Sequence, residues 1–215
     1  MRVVPIKLEQ FKKEIKTLST SKASLGILIS GRGSNMDIII RACQANQINA
    51  DVAIVISNNP NANGLILANS LGIKALAVNP RDFNTKHEYE NTICELLVDH
   101  SVDLVCLAGY MKIVGNTLLK KYDNKIINIH PSLLPSFKGL NAQKQALEYG
   151  VKFAGCSVHY VNDVLDGGKI ILQDIVPVSE DDTEETLSHK ILEKEHQIYP
   201  KAIQKVLASF KKSEE

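Results

Sequence analysis

The chain has 215 residues, 44% of them hydrophobic and 23% charged, with a net charge of +1 at pH 7. This composition suits one soluble globular domain with at most a short extension, and the balanced charge favours neither nucleic acid nor an acidic membrane surface. Tryptophan is absent and aromatics make up only 5%, which argues against base-stacking platforms, and no run approaches the roughly 18 apolar residues of a membrane span.

Residues 1–24 are Lys-rich and read as an N-terminal extension, leaving 25–215 as the main domain. Within the extension Leu8, Phe11, Ile15 and Leu18 recur at helical spacing, and residues 19–24 read as a linker. Charges run throughout this stretch, so no signal peptide is expected. From Leu25 onward, apolar runs alternate with amphipathic ones. Strands are expected at Leu25–Ser30, Val52–Ser57, Ala75–Val78, Leu104–Leu107 and Ile126–Ile129. Helices are expected at Asn35–Asn46, Asn63–Leu71, Thr85–His100, Asn116–Lys121 and Asn141–Tyr149. That alternation predicts an α/β fold: an open, mostly parallel Rossmann-like sheet with helices on both faces. Phe153–Tyr160 and Ile170–Val178 read as a longer strand pair, possible in antiparallel form. Asp182 with Glu185 reads as a capping box for a final helix, which Pro200 is expected to kink or break after Tyr199.

The four cysteines, Cys43, Cys94, Cys106 and Cys156, form no Cys-x-x-Cys pair and no zinc-finger cluster with histidine. They predict a reducing compartment without disulfides, hence a cytoplasmic protein.

The first expected strand runs into Ser30-Gly31-Arg32-Gly33-Ser34-Asn35 and then a helix. Glycines let backbone approach a ligand closely, and the N–H groups at a helix start face an anion. Met36 stands where a dinucleotide fingerprint needs a third glycine, and no carboxylate follows the second strand. A nest for a single phosphate remains, beside the plainer reading of a tight turn with Ser34 or Asn35 as N-cap.

Asn128-Ile129-His130-Pro131-Ser132-Leu133-Leu134-Pro135 is the most telling stretch. Residues two apart in a strand share a face, so the Asn128 amide and the His130 imidazole point the same way. Together they can stabilise a developing oxyanion and move a proton. Asp166, on the turn Leu165-Asp166-Gly167-Gly168, can hold the imidazole protonated and collect a proton later. The alternative is a buried Asn and His that satisfy each other. Ser157 and His159 share a strand face and can orient water or Asp166; a satisfied core histidine is the other reading of His159. His130, His159 and Asp166 show no compact metal-ligand spacing, so no metal is expected.

These motifs resemble the folate-dependent formyltransferase superfamily. The likeness runs from about Leu25 to about Phe210 and includes Leu107-Ala108-Gly109-Tyr110-Met111, Ser157-Val158-His159 and Glu195-His196-Gln197-Ile198-Tyr199-Pro200. Within the superfamily it is strongest to the members that formylate phosphoribosylglycinamide in purine biosynthesis. The resemblance implies that Asn128, His130 and Asp166 are catalytic. It implies that Gly33, Ser34, Asn35 and Glu195 bind phosphoribosylglycinamide, the last through ribose hydroxyls. It implies that Lys86, Met111, Lys112, Ile113, Val114 and Asn128 bind 10-formyltetrahydrofolate, the formyl-donating co-substrate. Relatives often carry Arg where Lys112 stands, and a His or Asp within the segment Asn141-Ala142-Gln143. The implied partners are small molecules, with no nucleic acid and no membrane, for a monomer or homodimer. Three alternatives are kept. A tRNA-directed sister needs a sizeable C-terminal domain, and a formyltetrahydrofolate deformylase needs an N-terminal regulatory one. A non-catalytic phosphate-binding α/β module has no need to keep Asn128, His130 and Asp166 together.

Overall fold

In the computed structural model, which describes residues 22–212, the apolar runs assemble into one seven-stranded sheet. The helix expected around residues 8–18 lies outside the described residues. The strands are β1 (Ala23–Ile29), β2 (Ala50–Ser57), β3 (Ala75–Ala77), β4 (Leu104–Leu107), β5 (Ile126–His130), β6 (Phe153–Tyr160) and β7 (Ile170–Pro177). Their order is β3-β2-β1-β4-β5-β6-β7. The first five are parallel, while β6 runs antiparallel to both β5 and β7. β1 begins at Ala23, two residues before the expected start.

The helices are α1 (Ser34–Gln44), α2 (Asn63–Ser70), α3 (Lys86–Asp99), α4 (Asn116–Lys121), α5 (Ala142–Tyr149) and α6 (Glu184–Lys212). They cover both faces, and β1 shows why the sequence demands it. Leu25, Ile27 and Ile29 face a core shared with α1 and α6, whereas Leu28 faces a second core built with α3 and α4. A strand buried on both sides reads as a continuous apolar run, as β1 and β4 do.

Two expectations about α6 need correction. Its N-terminus is capped one residue later than the sequence suggested. The Thr186 N–H donates to Thr183 Oγ1 and the Thr183 N–H donates to Thr186 Oγ1, a reciprocal box contributing about 1 kcal/mol. Asp182 instead accepts from the Ser179 N–H, from Thr186 Oγ1 and from Lys190 Nζ. Pro200 does not break the helix, which runs unbroken from Glu184 to Lys212. Proline removes the helical donor to the carbonyl four residues earlier and disfavours helical geometry at Tyr199. Burial outweighs both: Ile198, Tyr199, Ala202 and Ile203 are all buried on α6. The Tyr199 hydroxyl lies 2.9 Å from the Leu107 carbonyl and 3.3 Å from that of Ile127, bridging β4 and β5.

Candidate active site

At the carboxyl end of β5, beside the antiparallel β6, polar side chains gather. Register fixes the arrangement. Asn128 is paired with His159, and His130 with Ser157, so all four point to one face. Asn128 Nδ2 lies 3.3 Å from His159 Nε2. The other ring nitrogen of His159 is 2.8 Å from the Tyr160 carbonyl. That carbonyl only accepts, so His159 Nδ1 carries hydrogen and Nε2 is left to face the amide.

Asp166 closes the cluster from the turn before β7. Oδ2 is 3.5 Å from His130 Nδ1, and Oδ1 is 3.6 Å from His159 Nε2. Its backbone is left-handed, with φ 46°. Burial by itself would raise its carboxyl. The neighbouring His159, the Gly139 N–H and His130 outweigh burial and hold the carboxyl below its ordinary value.

The loop after β5 supplies two partners that side-chain patterns do not reveal. The Phe137 carbonyl is 2.9 Å from His130 Nε2, and the Gly139 N–H donates to Asp166 Oδ2 at 2.8 Å. The backbone of 137–139 thus grips the imidazole and the carboxylate together. Ser157 has a different place from the one expected. Its hydroxyl donates to the Ser132 carbonyl and accepts from the Leu134 N–H and from Gln173 Nε2, so it anchors the loop rather than orienting Asp166.

The glycine loop lies at the end of β1. Gly33, at φ 81°, is itself the N-cap of α1, in place of the expected Ser34 or Asn35. A side chain there would be strained, and its Cβ would come within 3.0 Å of the Gly64 backbone. Asn35 is buried and donates through Nδ2 to Glu195 Oε2 at 2.7 Å, which joins α1 to α6. Asn35 Oδ1 is buried with no hydrogen-bond partner among the described residues. Burial pushes the Glu195 carboxyl up to about 7, against the lowering effect of the Asn35 hydrogen bond.

The expected folate residues divide. Lys86, Met111, Lys112 and Ile113 line an open cleft of about 560 Å³, with Phe83 and Tyr89 in its wall. Met111 and Ile113 are 65% and 69% exposed, an unusual presentation of apolar surface. Val114 turns away into the core with α3 and α4. The loop that carries them leaves β4 directly after Leu107, the register partner of Asn128. Ser30 links this loop to the glycine loop: its N–H donates to the Gly109 carbonyl and its Oγ accepts from the Met111 N–H at 2.7 Å.

Residues 24–203 match the formyl transferase family model. The chain is 41% identical over 189 residues to the trifunctional purine biosynthetic protein adenosine-3 of Gallus gallus, covering 88% of this chain and 19% of that protein. It thus spans about a fifth of the length of that trifunctional relative. It is 41% identical over 181 residues to the phosphoribosylglycinamide formyltransferase of Bacillus subtilis, covering 84% of this chain and 93% of that one. Among solved structures, glycinamide ribonucleotide transformylase 1 from Symbiobacterium toebii superposes with a TM-score of 0.84 at 48% identity, covering 86% and 87% of the two chains.

Proposed function

The chain belongs to the formyl transferase family, and on that premise we propose that it transfers the formyl group of 10-formyltetrahydrofolate to the amine of 5-phosphoribosylglycinamide in purine biosynthesis. The observation that carries the reading is the cluster of Asn128, His130, His159 and Asp166, gripped by the backbone of 137–139. By the same reading the enzyme works in the cytoplasm on small molecules, with residues 25–215 forming the catalytic domain.

The acceptor amine attacks the formyl carbon and a tetrahedral oxyanion develops. Asn128 Nδ2 keeps one N–H for that oxygen while the other faces His159, and protonated His130 supplies a second donor. Both His130 nitrogens now face oxygen, so one N–H exchanges its present acceptor for the substrate. Asp166, between the two imidazoles, stabilises the positive charge and takes up the proton released by the amine nitrogen. The formyl carbon–N10 bond then breaks and N10 of the leaving tetrahydrofolate regains a proton. No covalent enzyme intermediate is needed, and holding the two substrates side by side supplies proximity.

Gly33, Ser34 and Asn35 hold the acceptor phosphate, and Glu195 receives its ribose hydroxyls. The glycine turn at the start of α1, where backbone N–H groups are free to face an anion, supports the phosphate placement. Met111 and Ile113 pack on the folate ring system, with Lys86 and Lys112 toward its carboxylates; the apolar cleft rimmed by two cations supports this. The test is tetrahydrofolate formation from 10-formyltetrahydrofolate, with and without phosphoribosylglycinamide. Release should require the acceptor and equal the formylated product. Equal release without it would mean that water is the acceptor, as in a deformylase.

A further inference from the structure

Glu90 is a carboxylate that this chemistry does not use, and it is only 4% exposed. It lies on α3, one turn after Lys86. A carboxylate withdrawn that far from water needs donors around it. The Gly115 N–H donates to it at 2.6 Å, and Lys86 Nζ lies 3.8 Å from the same oxygen. Gly115 closes the loop that carries Met111, Lys112 and Ile113 and is the N-cap of α4. One buried carboxylate therefore joins the helical wall of the cleft to its loop wall. A larger residue at 115 would have to push these side-chain ends aside: its Cβ would lie 2.7 Å from both Glu90 oxygens and 2.8 Å from Lys86 Cε. The backbone at Gly115 has φ −100°, so the demand for glycine there is steric and not conformational. A second link, Tyr89 to Tyr110 through their hydroxyls at 2.6 Å, ties the same helix to the start of the same loop.

We infer that Glu90 is a positioning residue for the formyl donor: it holds residues 111–115 against α3 and keeps Lys86 over Gly115 at the rim of the cleft. This rests on the folate reading of the cleft given above. Because Glu90 acts through the loop and Lys86, its removal weakens donor binding and leaves the chemical step intact.

Glu90→Ala should raise KM for 10-formyltetrahydrofolate about tenfold, with kcat and the acceptor KM changed by less than about twofold. Glu90→Gln keeps an oxygen for the Gly115 N–H and should recover most of the loss. Gly115→Ala removes no polar group yet separates the same three residues, so it should reproduce Glu90→Ala; it also carries the test if Glu90→Ala does not fold. Amide exchange in the ligand-free enzyme should quicken about tenfold at residues 111–115 in both Ala variants, with the sheet unchanged. Unchanged donor KM, a fall in kcat at constant donor KM, or unchanged exchange at 111–115 would overturn the assignment. Failure of the wild-type enzyme to bind tetrahydrofolate by calorimetry would overturn the cleft reading and the assignment with it. The exchange measurement needs no ligand and tells those two failures apart.

Discussion

Asp166 and Glu195 show how one residue type is driven in opposite directions by its surroundings. Asp166 is buried but finds His159, the Gly139 N–H and His130, and its carboxyl falls below the ordinary 3.8. A depressed carboxyl contributes stability that is present above its unfolded value and is lost as pH falls through the folded one. In Asp166→Asn the left-handed backbone is tolerated and only the charge is lost. We expect kcat to fall about 10²-fold or more with both KM values little changed, measured in steady state. Urea unfolding should show wild type and variant apart at neutral pH and converging as pH drops below the ordinary carboxylate range. Glu195 meets one donor in deep burial and is pushed up to about 7. A raised carboxyl contributes stability that is fully present below its ordinary 4.5 and is lost as pH rises through about 7. On the proposed placement, ribose hydroxyls donate to the carboxylate form of Glu195. Acceptor affinity, measured by calorimetry, should therefore rise with pH through about 7, and the Glu195→Gln variant should lack that component of the rise.

At the level of elements, the strands and helices were legible because burial on two faces writes continuous apolar runs and amphipathic stripes into the chain. The paired positions Asn128 and His130 were legible for the same reason, since strand period alone puts them on one face. What stayed hidden depended on tertiary packing or on groups without residue identity. The unbroken path of α6 through Pro200 follows from burial of Ile198, Tyr199, Ala202 and Ile203, which no local rule weighs. The grip of Phe137 and Gly139 on His130 and Asp166 uses a carbonyl and an N–H, which any residue supplies. The hydrogen bond from Asn35 to Glu195 spans 160 residues of chain, and only the docking of α6 on α1 creates it. The glycine loop offers a direct check. Gly33→Val places a branched side chain at φ 81° against the Gly64 backbone and Met36. We expect acceptor affinity to fall at least about tenfold while tetrahydrofolate affinity stays within about twofold, by calorimetry. The reverse pattern would exchange the two binding assignments.

Across the whole molecule, the four cysteines are free and buried in four separate elements. Burial is the leading cause that pushes Cys43 and Cys156 up to about 12 and Cys94 to about 11, and it raises Cys106 as well. The reactive form of a thiol is the thiolate. An aromatic disulfide reagent at pH 8 should thus find no rapidly reacting thiol in the native protein and four after guanidinium is added; a fast native thiol would mean that one of these elements opens readily. The reversal of strand direction at β5 also divides the molecule by origin. Asn128, His130, His159 and Asp166 all arise within residues 128–166, while the glycine loop, the cleft residues and Glu195 come from outside that span. On the proposed reading, chemistry and recognition therefore come from separate blocks of sequence. On that reading, changes in the glycine loop or in α6 would retarget such a protein to another amine while its formyl-transferring residues stay untouched.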